Sequence, residues 1–228
     1  MMTRRQASAG ILAGAALAAV PGHASAQAPT TRALPPARTE GGMPLTQALR
    51  LRHSTRAYAD RAVSTQLLSD LLWSAYGINR ASGERTAPYW RHVMVIDVYV
   101  AMADGVWLYE PETHALRQHL KGDLRALTGL QDFVANAPVE LVYVAHGERM
   151  KDTSAEDRRL YASVDAAFIG QNVYLFCASE GLATVFRGAV DQAKLGRALL
   201  LPEGQFVTFA QTVGYADVAK DQPLREGG

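Results

Sequence analysis

Apolar positions change period several times along the chain, and each change marks an element. Leu67, Leu68, Leu71, Leu72, Ala75 and Tyr76 recur at helical spacing, with Ser64 placed to cap the start and Gly77 to stop the end. Residues 44–51 read as a short helix with Pro44 near its first turn, where the missing N–H costs little. Residues 79–88 are polar and read as a loop. Residues 92–102 then alternate, with Met94, Ile96, Val98, Val100 and Met102 on one face, as in a strand. Asp104-Gly105 marks a hairpin turn, and residues 106–109 return as a second strand. Helices are expected near 123–131 and 132–136, followed by an interior strand over the dense apolar run 139–145.

The longest helical pattern runs from 154 to 179. Leu160, Val164, Ala167, Phe168, Leu175 and Ala178 keep the period, and Ile169, Val173 and Phe176 broaden it. A helix apolar over so much of its circumference must be covered on several sides, and a subunit interface is a simple cover. Gly181 ends it. A short strand at 183–186, a helix at 191–201 and a last strand at 206–215 complete the pattern. The sum is an α+β fold: a mixed or antiparallel sheet flanked by helices, with one long buried helix.

The N-terminus differs in kind. Arg4-Arg5, an apolar run over 9–20 and the small-residue site Ala24-Ser25-Ala26 describe a secretory signal peptide over residues 1–26. The run is shorter than the roughly 20 residues that a spanning helix needs, so no stable membrane anchor is expected. The arginine pair suggests the twin-arginine route, with Sec export as the alternative. Cleavage near Ala26 would leave the protein in the periplasm or otherwise exported. Residues 27–43, rich in Pro, Thr, Ala and Gly, read as a flexible linker, and residues 44–228 as one domain.

Composition narrows the chemistry. Apolar residues make up 48% and charged residues 20%, a globular balance. The 23 Lys and Arg against 22 Asp and Glu argue against a nucleic-acid partner. Cys177 is the single cysteine, which excludes an internal disulfide framework and suits a small core hydrophobe. The histidines lack HExxH or paired metal spacing, and GxSxG, Walker and GxGxxG motifs are absent, so no metal site is expected.

Three segments remain as candidates. Arg52, His53, Ser54, Thr55 and Arg56 group cationic and hydroxyl donors just after a helix. They suit a phosphate, and equally a solvated basic turn. Residues 180–188 bracket a short strand with Gly181 and Gly188, which either let a backbone approach a flat ligand or mark a helix stop and a turn. Residues 85–92 carry Pro88, Tyr89 and Trp90, aromatics that either flank a ligand or plug the core.

Taken together and in order, these segments resemble the nitroreductase family of FMN-dependent oxidoreductases, from about residue 44 to 215. Arg52-His53-Ser54-Thr55-Arg56-Ala57-Tyr58 resembles the family's opening motif for the FMN phosphate and flavin edge. The segment from Ser64 to Gly77 resembles the helix that follows, and Asp165, Gln171-Asn172, Leu175 and Gly181-Leu182 resemble the long dimer helix. The turn at 77–80, Thr86-Ala87-Pro88 and the hairpin at 105–109 look closest to the SagB-type branch, similar to thiazoline and oxazoline oxidases.

The resemblance implies a homodimer with FMN at the interface, NAD(P)H as a candidate donor and a small-molecule substrate. It implies ping-pong transfer through flavin N5 to nitroaromatic, quinone-like or other conjugated acceptors, with no catalytic side chain required. An azoline-oxidising dehydrogenase and a non-catalytic flavin-binding dimer are the alternatives. It assigns Arg52, His53, Ser54 and Arg56 to the cofactor, together with the backbone around Arg187 and Gly188, and Pro88 and Tyr89 from the other subunit. Tyr89-Trp90 and His92 depart from the small polar residues usual after Ala-Pro. Lys220 and Arg225 are candidates for a C-terminal phosphate contact.

Overall fold

Strand β5 (Val139–His146) is buried from Val139 to Ala145 because its two faces feed two separate cores. Leu141, Tyr143 and Ala145 face one side, and Val142 and Val144 the other. The computed structural model describes residues 30–220. The signal segment 1–26 and Arg225 lie outside the described residues.

Around β5 the other strands assemble as β1 (Thr31–Ala33), β2 (Ile96–Met102), β3 (Gly105–Glu110), β4 (Ala115–Lys121), β6 (Ala183–Arg187) and β7 (Gln205–Gly214). They form one sheet in the order β1-β4-β3-β2-β5-β7-β6. Every neighbouring pair is antiparallel. Helices α2 (Thr65–Tyr76) and α3 (Ala155–Glu180) cover one face, with α1 (Leu45–Leu51) against α3. The short α4 (Gln192–Ala198) covers part of the other face, where Leu195 and Leu199 meet Val142, Val144 and Val207.

The helix signals act as expected. The Ser64 side chain accepts the Leu67 N–H at 3.2 Å, and Gly181 closes α3 in the left-handed conformation, φ 69°. Cys177 is buried. Among the described residues no helix is long and apolar enough to cross a membrane.

Three expectations are corrected, and one strand is added. Residues 30–43 are not a loose tether. Thr31–Ala33 pairs with β4, Leu34 is buried, and Arg38 grips the buried Asp70 at 2.6 Å. Strand β4 lies in a stretch the apolar period does not mark, since only Ala115 and Leu116 are buried there. The two helices expected over 123–136 are single 3-10 turns, Arg125–Leu127 and Asp132–Ala135. Asp123 takes the Arg125 N–H, and Thr128 Oγ1 donates to the Arg125 carbonyl, so local side-chain bonds replace helical ones. Strand β2 begins only at Ile96. Trp90–His92 form a turn in which Arg91 (φ 44°) and His92 (φ 59°) are left-handed.

Candidate functional site

Strand β6 is a sheet edge, and its outward backbone groups are met by side chains and loops. The Thr55 N–H donates to the Thr184 carbonyl at 3.0 Å. The Phe186 N–H donates to the Tyr174 hydroxyl at 2.9 Å, and that hydroxyl shares a hydrogen with Ser54 Oγ at 2.7 Å. Tyr58 OH donates to the Thr55 carbonyl at 2.7 Å. The basic segment is therefore sewn to β6 and to α3 at once.

The helix can approach β6 this closely because residue 170 is glycine. A Cβ there would stand 2.5 Å from the Phe186 ring. Phe186 stacks on Tyr143, and Gln211 fills the gap, donating to the Gly170 carbonyl at 3.2 Å and accepting from Tyr143 OH at 2.6 Å.

The basic segment borders a cavity of about 270 Å³, lined by Arg52, His53, Thr55, Tyr174, Gly181 and Thr184 among others, with no carboxylate in its wall. The Arg52 guanidinium lies over the Tyr174 ring at 5.2 Å. The His53 ring bonds the Leu51 carbonyl at 2.8 Å. Among the described residues neither Arg52 nor Arg56 takes part in an ion pair. An unpaired Arg52 in the wall of an acid-free cavity fits a phosphate ester such as that of FMN. Arg56 is exposed and stands outside the cavity wall.

The Arg187 side chain is not part of this face. It turns into the opposite core, where Nη2 meets Glu140 at 2.5 Å, Nη1 donates to the Thr128 carbonyl at 3.0 Å and Nε to Thr212 Oγ1 at 3.1 Å. A Cβ on Gly129 would collide with that guanidinium. Burial pushes the Glu140 carboxyl up to about 7, against the opposing pull of Arg187 and the Thr212 hydroxyl. Only the backbone of residue 187 is left for a ligand, beside the exposed Gly188.

Pro88 and Tyr89 lie elsewhere in the subunit. Pro88 is exposed, and Tyr89 packs edge-on between Tyr76 and His92. Next to them the Trp90 N–H donates to the buried Asp165 at 2.9 Å, and the Trp90 ring rests on Tyr161. Asp165 is nine residues from Tyr174 along α3, about 14 Å of helix rise. Within one subunit the two groups stay apart. Trp90 is held against α3, well away from the basic segment. Lys220 is engaged by Asp217 at 2.9 Å.

Sequence reasoning missed Tyr174, the residue that joins Ser54 to β6. Its signal was a lone hydroxyl between Val173 and Leu175 on an apolar helix. Among the described residues no group of three or more His, Cys, Asp or Glu side chains converges as a metal site.

The nitroreductase family model matches residues 49–215. A Methanocaldococcus jannaschii protein that carries a nitroreductase name is 32% identical over 162 residues, 67% of this chain and 82% of that protein. A Ralstonia eutropha crystal structure, also under a nitroreductase name, is 40% identical with a TM-score of 0.78, over 82% of this chain and 89% of that one. The NADPH:FMN oxidoreductase of Vibrio harveyi, solved with NAD+, shares the fold at 19% identity and a TM-score of 0.58, over 81% of this chain and 74% of its own.

Proposed function

The chain belongs to the nitroreductase family of flavin-dependent oxidoreductases, and on that premise we propose that it binds FMN between two copies of itself and reduces a small conjugated acceptor, nitroaromatic or quinone-like, with NAD(P)H as donor. When bound, FMN supplies the redox chemistry, holding a hydride equivalent from one substrate until the next takes it.

The protein's own groups bind, orient and exclude water. Arg52 and Arg56 clamp the phosphate through their guanidinium forks. Ser54, held by Tyr174, offers a hydroxyl at a fixed place. The His53 ring, held at Nδ1 by the Leu51 carbonyl, would offer Nε2 as a hydrogen-bond partner to the polar edge of the ring system. The backbone at 187–188 would be the part of this strand open to the ring, while the Arg187 side chain anchors the strand from behind. Exposed Leu160, Val164 and Phe168 form an apolar stripe on α3. A second copy covering that stripe would close the site against water and bring Pro88 and Tyr89 of the partner subunit to it. The Vibrio harveyi neighbour, an NADPH:FMN oxidoreductase by name, supports the cofactor pair.

The observation that carries this reading is the unpaired Arg52 in the wall of an acid-free cavity, on a loop whose Ser54 is fastened by Tyr174 to an edge strand. An absorption spectrum of the purified protein with and without FMN, then anaerobic titration with NADH and NADPH, tests it. Flavin bands that bleach support it, and a protein that stays colourless in excess FMN sinks it. Bands that hold against both nucleotides favour substrate oxidation. That is the second reading, an azoline dehydrogenase of the SagB-type branch, supported by Thr86-Ala87-Pro88 and the hairpin at 105–109. Arg4-Arg5 and Ala24-Ser25-Ala26 support work outside the cytoplasm, which N-terminal sequencing from a periplasmic extract tests by a start at Gln27.

A further inference from the structure

Strands β2 and β3 part company halfway along. Their pairing ends at Tyr99↔Leu108, while β2 follows β5 on to Ile96↔Ala145 and β3 follows β4 on to Glu110↔Ala115. The split opens a cavity of about 430 Å³ through the sheet. It lies three strand spacings from β6, about 14 Å, and is separate from the basic segment.

The walls of this cleft are charged, and nearly every charge is matched. Arg117 meets Glu110 at 2.6 Å, and Asp97 meets His146 at 2.6 Å and Arg149 at 3.2 Å. Burial would raise the Asp97 carboxyl, but His146 and Arg149 hold it below its ordinary value. Arg85 is the exception. It is only 4% exposed, yet just one of its nitrogens is engaged. Nη2 donates to Glu112 at 2.6 Å and touches Met94 Sδ at 3.2 Å. Nε and Nη1 are sealed from solvent and have no partner. The Tyr76 hydroxyl, which lines the same cleft, is buried and unpartnered too.

A guanidinium presents a planar fork that a carboxylate fills with two parallel bonds. Glu112 fills only one prong, and it reaches in from an exposed turn with 66% of its side chain in solvent. Such an arm is readily exchanged, because holding it ordered costs side-chain entropy. A free carboxylate has no such tether. With Glu112 swung out to uncover this edge of the guanidinium, it could engage Nε and Nη2 together, with the Tyr76 hydroxyl as a further donor, while its body lies against Tyr99 and Leu108.

We propose that the cleft between β2 and β3 binds a small organic carboxylate, with Arg85 as the anion fork and Glu112 as the arm the ligand displaces. The site involves no redox step and does not depend on the flavin reading.

The test uses the ¹⁵N-labelled protein and follows arginine Nε–H signals by NMR, with the Arg85 signal assigned by its loss in Arg85→Lys. Acetate and glutarate are titrated against sodium chloride at constant ionic strength. The expected result is a saturable shift of the Arg85 signal, and in Glu112→Gln the same shift at roughly tenfold lower concentration. Glu112→Gln keeps an oxygen for the Arg85 Nη2 bond, so that variant is expected to keep its fold whatever happens to Arg85→Lys. A shift that never saturates, or one unchanged by Glu112→Gln, would overturn the site. An equal response to inorganic phosphate would overturn the carboxylate class. No flavin enters the readout, so a failure here and a failure to bind FMN are separate results.

Discussion

The Tyr174 hydroxyl stands 2.7 Å from Ser54 Oγ, and through it the loop after α1 is tied to the edge strand β6. One phenolic oxygen serves two elements that are far apart in sequence. Its removal acts on the fold and on the site together.

Tyr174→Phe leaves the Phe186 N–H without its acceptor and frees Ser54. Stability is expected to fall by about 1–3 kcal/mol, the cost of an unsatisfied buried donor, seen as a lower denaturant midpoint. FMN affinity is expected to fall roughly tenfold, about 1.4 kcal/mol, because the Ser54 hydroxyl is no longer held in place. Flavin fluorescence quenching measures it. A variant that loses neither would show that the loop is positioned by its backbone bonds to Thr184, Tyr215 and Asp217.

Arg52→Gln separates phosphate from ring recognition. A hydrogen bond to a charged group is worth about 1.5–3 kcal/mol, so FMN is expected to bind roughly 10- to 100-fold more weakly. Riboflavin, which lacks the phosphate, is expected to bind almost as it does to the unaltered protein. Equal losses for both ligands would move Arg52 from the phosphate to the ring.

The parts of this site legible in the sequence are those fixed by local chemistry. Ser64 marks a helix start by its side-chain bond and Gly181 a helix end by its left-handed backbone, while Gly77 ends α2 in an extended conformation where a Cβ would crowd Trp73. The partners of Arg52 and Arg187 depend on contacts distant in the chain. Two arginines that look alike in sequence therefore meet opposite fates, one beside an open cavity and one buried against Glu140. Strand β4 escaped for a related reason. Arg117 and His119 are satisfied by Glu110 and by the Leu199 carbonyl, so the strand needs little apolar alternation. Residues 31–33 pair with β4 through backbone bonds, which composition does not record.

Gly170→Ala tests the close approach of α3 to β6. The added methyl would meet the Phe186 ring at 2.5 Å and Gln211 at 3.2 Å. The expected loss is about 1–3 kcal/mol by overpacking, although alanine is the better helix former. Combining it with Phe186→Leu is expected to recover part of the loss in a double-mutant cycle. Strictly additive losses would show that the ring is not what limits the approach.

Phe168→Asp tests the apolar stripe on α3. Phe168 is 45% exposed and Leu160 55%, on the same helix. A charge buried there in a dimer would find no partner, so the variant is expected to run as a monomer in light scattering after size exclusion. FMN is expected to be lost with the dimer if, as proposed, each site draws on both subunits. A monomer that keeps full FMN affinity would place the whole cofactor site within one chain.

Asp165 gives a pH dependence with a definite sign. Its carboxyl is buried against the loop that carries Trp90, and burial raises it to about 6 despite the Trp90 N–H that favours the anion. A carboxyl raised in the folded state binds its proton more tightly there than in the unfolded chain. Its contribution to stability is therefore fully present below about pH 4, where an ordinary aspartate titrates, and is lost as pH rises through about 6. Asp165→Asn keeps an oxygen for the Trp90 N–H and removes the titration. The stability of the wild type relative to this variant, from denaturant midpoints, is expected to fall between pH 4 and 6 and to stay level above. Trp90 emission, isolated by comparison with Trp90→Phe, is expected to change over the same interval. A flat difference across that interval would mean that the carboxyl ionises in the fold as it does in the unfolded chain, and that the loop is held by its packing on Tyr161.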